Sequence, residues 1–324
     1  MHITEKLKSR FAKDMSIPIG VVKEPYFDER LDLYEDLYGA RTKYNEFTWM
    51  LAEKFKTEQD YFEFYNSMKD KMMNDIKSTE AFQRFNNEDM NRFACEDRGS
   101  FSAKDIFHDS NNGRVFISID MVKANFSALS LYDKSMFDNA ETWDDFVLKY
   151  TDLEYFRYSK YIRQVVLGNC NPKRHITYER YITNILLCEI LDNMNIVFPY
   201  KIVFVSNDEI VLDITEAYES NPMNYKVFIE HLMHVILNAN LSGREISKFP
   251  DFRFTPFILQ KITETGGYLE RSLEDNSINL KCVNNFELPF VARKLRNEFY
   301  VYSDFIFMHE NRLCKYLEAP NILL

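Results

Sequence analysis

Asp120 and Asp208 are the candidates in this chain for divalent-metal chemistry. Asp120 closes the apolar run Arg114-Val115-Phe116-Ile117-Ser118-Ile119, a buried-strand pattern. Asp208 and Glu209 sit in Ser206-Asn207-Asp208-Glu209, a stretch with tight-turn chemistry between the β-rich runs 201–205 and 210–214. Two strands that each deliver one Asp to the same end of a sheet would form a two-metal phosphoryl-transfer site. An Asp-Glu pair at a hairpin tip is most often only a solvated turn, so the neighbouring segments must decide.

A local cluster of cations supplies the complementary charge. Lys160 and Arg163 are three residues apart on one predicted helix, Gly168 and Pro172 end that helix, and Lys173 and Arg174 follow. The formal net charge of the chain is −10, so these cations stand out as an anion site suited to a triphosphate. The alternative is a solvated basic helix face. After Asp120 the apolar spacing relaxes to a helical one, which puts Asn125 and Phe126 on a first helical turn close to whatever Asp120 binds.

The rest of the chain must hold these residues. Its 324 residues allow one large domain or two ordinary ones, and 46% hydrophobic composition is enough for a sizeable core. Residues 1–110 read as mainly helical. Thr57 with Asp60 marks a helix start, and Phe62, Tyr65, Met68, Met72 and Ile76 then form a core-facing stripe. Breaks are expected at 86–89 and 96–100, and Asn111-Asn112-Gly113 turns the chain into the Asp120 strand. Residues 176–193 and 225–240 read as amphipathic helices; His231 and His234 on the second are expected to be surface or core histidines. From Phe252 the chain becomes β-rich. Its Pro256 marks 252–259 as an edge strand, 299–302 and 305–307 read as strands, and turns are expected at 275–277 and 309–311. Arg293, Lys294 and Arg296 form a second basic cluster, which could meet a nucleic-acid backbone but reads rather as solvated.

The five cysteines, Cys95, Cys170, Cys188, Cys282 and Cys314, are odd in number and irregularly spaced with no C-x-x-C. That pattern predicts a reducing, intracellular, cytoplasmic setting with neither structural zinc nor a disulfide framework. Residues 1–18 are charged and amphipathic, which is unlike a signal peptide, and no apolar run nears the ~20 residues needed to span a bilayer. The acidic balance argues against a globally basic nucleic-acid coat.

The ordered triple of strand–Asp120, the Lys160–Arg163–Gly168 helix and the Asp208-Glu209 hairpin resembles the palm and fingers of template-dependent polymerases, most closely family A DNA polymerases. Ile119-Asp120-Met121-Val122-Lys123-Ala124-Asn125 is similar to the first motif, with Asn125 where the family carries a sugar-discriminating Glu. Arg163, Leu167 and Gly168 fall at the Lys, aromatic and Gly of the second motif, and Asn207-Asp208-Glu209 at the His-Asp-Glu of the third. Asp120, Gly168, Asp208 and Glu209 match outright, within residues 114–214. Ser206-Asn207-Asp208-Glu209 also looks like the Ser-x-Asp-Glu of translesion polymerases and the hairpin of diguanylate cyclases.

The resemblance implies an α+β fold: a palm-like antiparallel sheet with packed helices at 111–262, reduced fingers at about 141–195, a helical region at 1–110 and a β-hairpin region at 263–324. It implies Mg²⁺ or Mn²⁺ on Asp120 and Asp208, with Glu209 as a primer-side acid. Lys160 and Arg163 would clamp the triphosphate, Lys173 and Arg174 would assist, and Asn125 with Phe126 would line the sugar pocket. The implied reaction transfers a nucleotide from a nucleoside triphosphate to a 3′-hydroxyl of a DNA or RNA primer-template. Two alternatives stay open. One is a template-independent cyclase or signalling nucleotidyltransferase; the other is an inactive palm that serves protein partners, for which the N-terminal helices offer a surface.

Overall fold

The computed structural model describes residues 2–94, 106–193, 199–241 and 248–324. Cys95 and the expected break at 96–100 lie outside the described residues. Six helices come first: α1 (Glu5–Asp14), α2 (Tyr26–Leu33), α3 (Glu35–Tyr38), α4 (Ala40–Lys54), α5 (Glu58–Ser78) and α6 (Glu80–Asn87). Strand β1 (Val115–Met121) precedes α7 (Ala124–Tyr132), α8 (Trp143–Leu148), α9 (Glu154–Tyr158), α10 (Lys160–Gly168) and the long α11 (Pro172–Asn193). The hairpin β2 (Lys201–Val205) and β3 (Glu209–Asp213) leads into α12 (Thr215–Ser220) and α13 (Asn224–Leu241). Strands β4 (Phe252–Lys261), β5 (Tyr268–Ser272) and β6 (Ile278–Lys281) follow, then α14 (Leu288–Leu295) and the small hairpin β7 (Ile306–His309) with β8 (Arg312–Lys315).

Local chemistry sets several of these boundaries. Thr57 and Asp60 form a reciprocal capping box that starts α5, whose Tyr61, Tyr65, Met68, Met72 and Ile76 are buried. Phe62 is only partly buried beside that stripe. Ser159 caps α10 by accepting from the Ile162 N–H at 3.2 Å. Asn171 adopts φ +70°, a left-handed conformation that Asn tolerates, and Pro172 then opens α11 at a position where a missing N–H does no harm.

The fold is α+β, an antiparallel sheet with packed helices. The main sheet runs β2-β3-β1-β4-β5-β6, with β1 at its centre. Alternation along β1 divides the sheet into two faces. Val115, Ile117, Ile119 and Met121 join Ile210 and Leu212 in the main core beneath the helices. The other face carries Phe116, Val211, Phe257, Leu259 and Tyr268, a small apolar cluster with Ile106. Toward the far end of β1 that face turns polar, with Ser118 and then Asp120.

Two strand expectations are corrected. β4 is an interior strand, paired with β1 along 252–258 and with β5 along 257–261. The Leu259 N–H bonds to the Arg114 carbonyl of β1, so by alternation the Pro256 nitrogen faces the β5 side. β5 ends at Ser272, and the Pro256 carbonyl accepts from the Leu273 N–H at 2.9 Å, so the missing donor falls where the ladder stops. Residues 299–302 are not a strand: the Asp304 carboxylate accepts from the Val301 N–H at 2.8 Å and bends the chain into a 3₁₀ turn at Tyr302–Phe305. Tyr300 packs on Phe290, and Phe299 is left 94% exposed.

The C-terminal unit is tied to the N-terminal helices by buried charge. Arg30 of α2 donates to Asp304 Oδ1 at 3.1 Å and to the Ser303 carbonyl at 2.6 Å, and Arg293 of α14 reaches Asp304 Oδ2 at 3.1 Å. Arg296 pairs with Asp36 and Glu298, so two members of the second basic cluster are held in ion pairs. Among the described residues, no helix is long and apolar enough to cross a membrane.

Candidate active site

The central strand and the β2–β3 hairpin bring the acids together. Asp120 and Glu209 are register partners, as are Ser118 and Val211. The Met121 N–H bonds to the Asp208 carbonyl at 2.8 Å, and the Ile214 N–H to the Val115 carbonyl at 3.0 Å. These bonds flank Asp120 and Glu209, so by alternation the two form a non-hydrogen-bonded pair, the kind with Cα atoms only about 4.5 Å apart. Two carboxylates therefore face each other at the shortest cross-strand spacing, an arrangement that destabilises a sheet.

Asp208 lies in the turn and Glu209 opens β3. Ser206 shapes the turn: its Oγ accepts from the Asp208 and Glu209 N–H groups and donates to Asp208 Oδ1 at 3.0 Å. Ser118 Oγ donates to Glu209 Oε1, which fixes that carboxylate on the sheet face. Burial, then the charges of Glu209 and Asp208, push the Asp120 carboxyl up to about 6, with Arg253 and Lys281 opposing. Arg253 is the β4 register partner of Asp120, and Lys281 ends β6.

Two further carboxylates belong to this neighbourhood and were missed in the sequence. Glu179 on α11 is 6% exposed; burial, then the charge of Asp208, raise it to about 8. His175 Nε2 lies 3.9 Å from Glu179 Oε1, but burial lowers the His175 pKa. Burial thus favours the uncharged form of each, which works against an ion pair between them. One turn further along α11, Thr183 donates to the Asn207 carbonyl at 2.8 Å and anchors the hairpin tip. Glu270 of β5 is raised by burial, with Lys281 and Asn279 opposing and Glu209 adding to the rise. Helical spacing marks Glu179 only as one polar position on an amphipathic helix; its meeting with Asp208 is purely tertiary.

The expected phosphate and sugar contacts divide. Lys160 and Lys173 are exposed at the starts of α10 and α11. Arg163 is half-buried, its Nε donates to Asn125 Oδ1 at 3.2 Å, and burial lowers its pKa against the charge of Asp144. Asn125 and Arg163 are thus brought together beside the β1–α7 switch, where Lys123 holds a left-handed φ of +50° and reaches Asp144 at 2.8 Å. Arg174 is turned elsewhere, donating to the carbonyls of Phe85 and Glu88 and tying α11 to α6. The Phe126 ring is core, 4.7 Å from Phe137 and 6.1 Å from Trp143 between centroids.

The donor set is all hard oxygen, which suits Mg²⁺ or Mn²⁺ rather than zinc. Among the described residues, no three His, Cys, Asp or Glu side chains are already arranged to enclose a metal ion. No family model, curated protein or solved structure matches this chain.

Proposed function

We propose that this chain is a metal-dependent nucleotidyltransferase that works on a palm-type sheet and is most like a family A polymerase. The observation that carries the proposal is the confrontation of Asp120 with Glu209 on the polar end of an otherwise apolar sheet face, with Asp208 in the adjoining turn. An Asp120–Glu209 pair that Arg253 and Lys281 offset only in part favours a site that binds divalent charge. Mg²⁺ keeps several waters and is held by only one or two protein carboxylates plus substrate phosphates, which agrees with an incomplete protein ligand set. Bound there, the metals would supply a lowered pKa at the attacking 3′-hydroxyl and charge neutralisation at the triphosphate.

The chain's own residues then take these roles. Asp120 at the end of β1 and Asp208 in the β2–β3 turn would hold the metal. Glu209, oriented by Ser118, borders the primer side. Arg163, set against Asn125, and the exposed Lys160 and Lys173 receive the triphosphate, and Asn125 meets the sugar. Arg174 and Phe126 support the fold instead. Arg253 and Lys281 stand on the acid-bearing face, where a nucleic-acid backbone would lie.

The test is incorporation of each nucleoside triphosphate with Mg²⁺ or Mn²⁺, with and without a primed template, by the wild type and Asp120→Asn. Primer extension lost in the variant supports the proposal. Cyclic or dinucleotide products without primer identify the template-independent alternative. Absence of any triphosphate-dependent product, together with no Mg²⁺-dependent thermal shift, identifies an inactive palm.

A further inference from the structure

The surface farthest in character from the acid-bearing sheet is a cleft of about 590 Å³ between α4 and the segment entering α9. Trp49 is 73% exposed and Tyr158 is 66% exposed, and both line it. The same wall carries Glu46, Glu53, Asp152 and Glu154 against two lysines, Lys43 and Lys54. Both lysines are already engaged: Lys43 donates to the Tyr38 carbonyl at 2.6 Å, and Lys54 pairs with Glu53 at 3.2 Å. Among the described residues, Glu46, Asp152 and Glu154 have no ion pair. Aromatic faces and unpaired carboxylates in one cleft attract cations and repel phosphate. The Arg157 guanidinium lies 5.9 Å from the Tyr158 ring centroid, so that ring already takes one cation contact within the chain.

We propose that this cleft docks an arginine- or lysine-bearing segment of a protein partner. The charge balance selects a basic occupant and excludes nucleic acid. The size selects a peptide, because a volume in this range holds several side chains and Trp with Tyr is the pair most used to anchor partners. Trp49 and Tyr158 stack on the guanidinium or ammonium groups, and Glu46, Asp152 and Glu154 hold their charge. The docking is independent of the nucleotidyltransferase reading and of the face that carries Asp120.

Full-length protein is titrated with a tetra-arginine peptide, a tetra-glutamate peptide and spermine, by calorimetry and by Trp fluorescence. Trp49 is the exposed member of the two tryptophans, since Trp143 is 1% exposed, so an emission change reports on the cleft. The expected result is saturable binding of tetra-arginine, weakened at least about tenfold by Trp49→Ala and by Glu46→Gln/Asp152→Asn, with none for tetra-glutamate. All three substituted positions are exposed, so these variants keep the fold. No saturable binding, or equal binding by the variants, overturns the proposal; spermine binding as tight as the peptide overturns the protein partner in favour of a small polyamine.

Discussion

Asp120 and Glu209 oppose each other across β1 and β3 as a non-hydrogen-bonded pair, and Ser118, two residues back on β1, holds the Glu209 carboxylate in place. A cross-strand acid pair opposes folding, and the Asp120 carboxyl is raised first by burial and then by the charges of Glu209 and Asp208. The strand on the other side offers only partial relief through Arg253. This partly offset acid pair is the feature on which the proposed metal site rests.

Asp120→Asn should abolish metal-dependent incorporation, by on the order of 10²–10³-fold or more. Without metal the same change removes a repulsion, so in EDTA at pH 8 the melting temperature should hold or rise by about 1–3 °C. Added Mg²⁺ should stabilise the wild type and leave the variant unmoved. Differential scanning fluorimetry with and without Mg²⁺ checks both; an EDTA melting temperature that falls by many degrees would mean Asp120 is a structural residue.

Glu179→Gln should change stability in a pH-dependent way. The folded carboxyl titrates near 8, far above its ordinary value of 4.5. A raised carboxyl stabilises the folded state fully below the unfolded pKa, and that contribution is lost as pH rises from about 4.5 through about 8. In EDTA, Glu179→Gln should therefore gain on the wild type as pH is raised across this window. Denaturant midpoints at pH 5 and pH 8.5 measure the difference, and a gap that does not move with pH would contradict the burial of a neutral acid.

Arg174→Ala should destabilise the fold by about 2–3 kcal/mol, because a charged donor leaves the carbonyls of Phe85 and Glu88. Lys160→Ala, at an exposed position, should leave stability within about 0.5 kcal/mol and raise the KM for the triphosphate instead. Chemical denaturation and steady-state kinetics on the two variants separate the roles; a stable, catalytically weakened Arg174→Ala would return that residue to phosphate binding.

Phe126→Ala should cost about 3–5 kcal/mol by emptying the space beside Phe137 and Trp143. Asn125→Ala, at the half-buried position against Arg163, should leave melting nearly unchanged and alter the preference between ribose and deoxyribose triphosphates. Equal sugar selectivity in the wild type and Asn125→Ala would remove Asn125 from the sugar contact.

Much of the local structure was legible in the sequence. The Thr57–Asp60 start, the Gly113 turn into β1, the Gly168 and Pro172 punctuation and the Asp208 hairpin all follow from residue types at fixed spacings. Those signals are short-range, and short-range chemistry decides them. What stayed hidden depends on partners distant in the chain. Glu179 reads as one polar position on an amphipathic helix until the hairpin tip packs against it. Arg253 carries no site signal in the sequence, and its role appears only when β4 lies beside β1. Pro256 misled because an edge signal is local, whereas the end of β5 that accommodates it is not. Phe126 carries the spacing of a site residue, but its ring volume is claimed by Phe137 and Trp143.

The central position of β1 has a consequence for synthesis. Its neighbours arrive late: β3 spans 209–213 and β4 spans 252–261, whereas β1 ends at residue 121. Closing loops of this length before any pairing is won makes the sheet slow to nucleate, with high contact order. Until β4 emerges, β1 has an unpaired apolar edge open to other strands. Truncation before residue 252 should therefore yield a chain that aggregates rather than a smaller folded unit, and β4 acts as the latch that makes the acid-bearing strand safe to expose in a crowded solution.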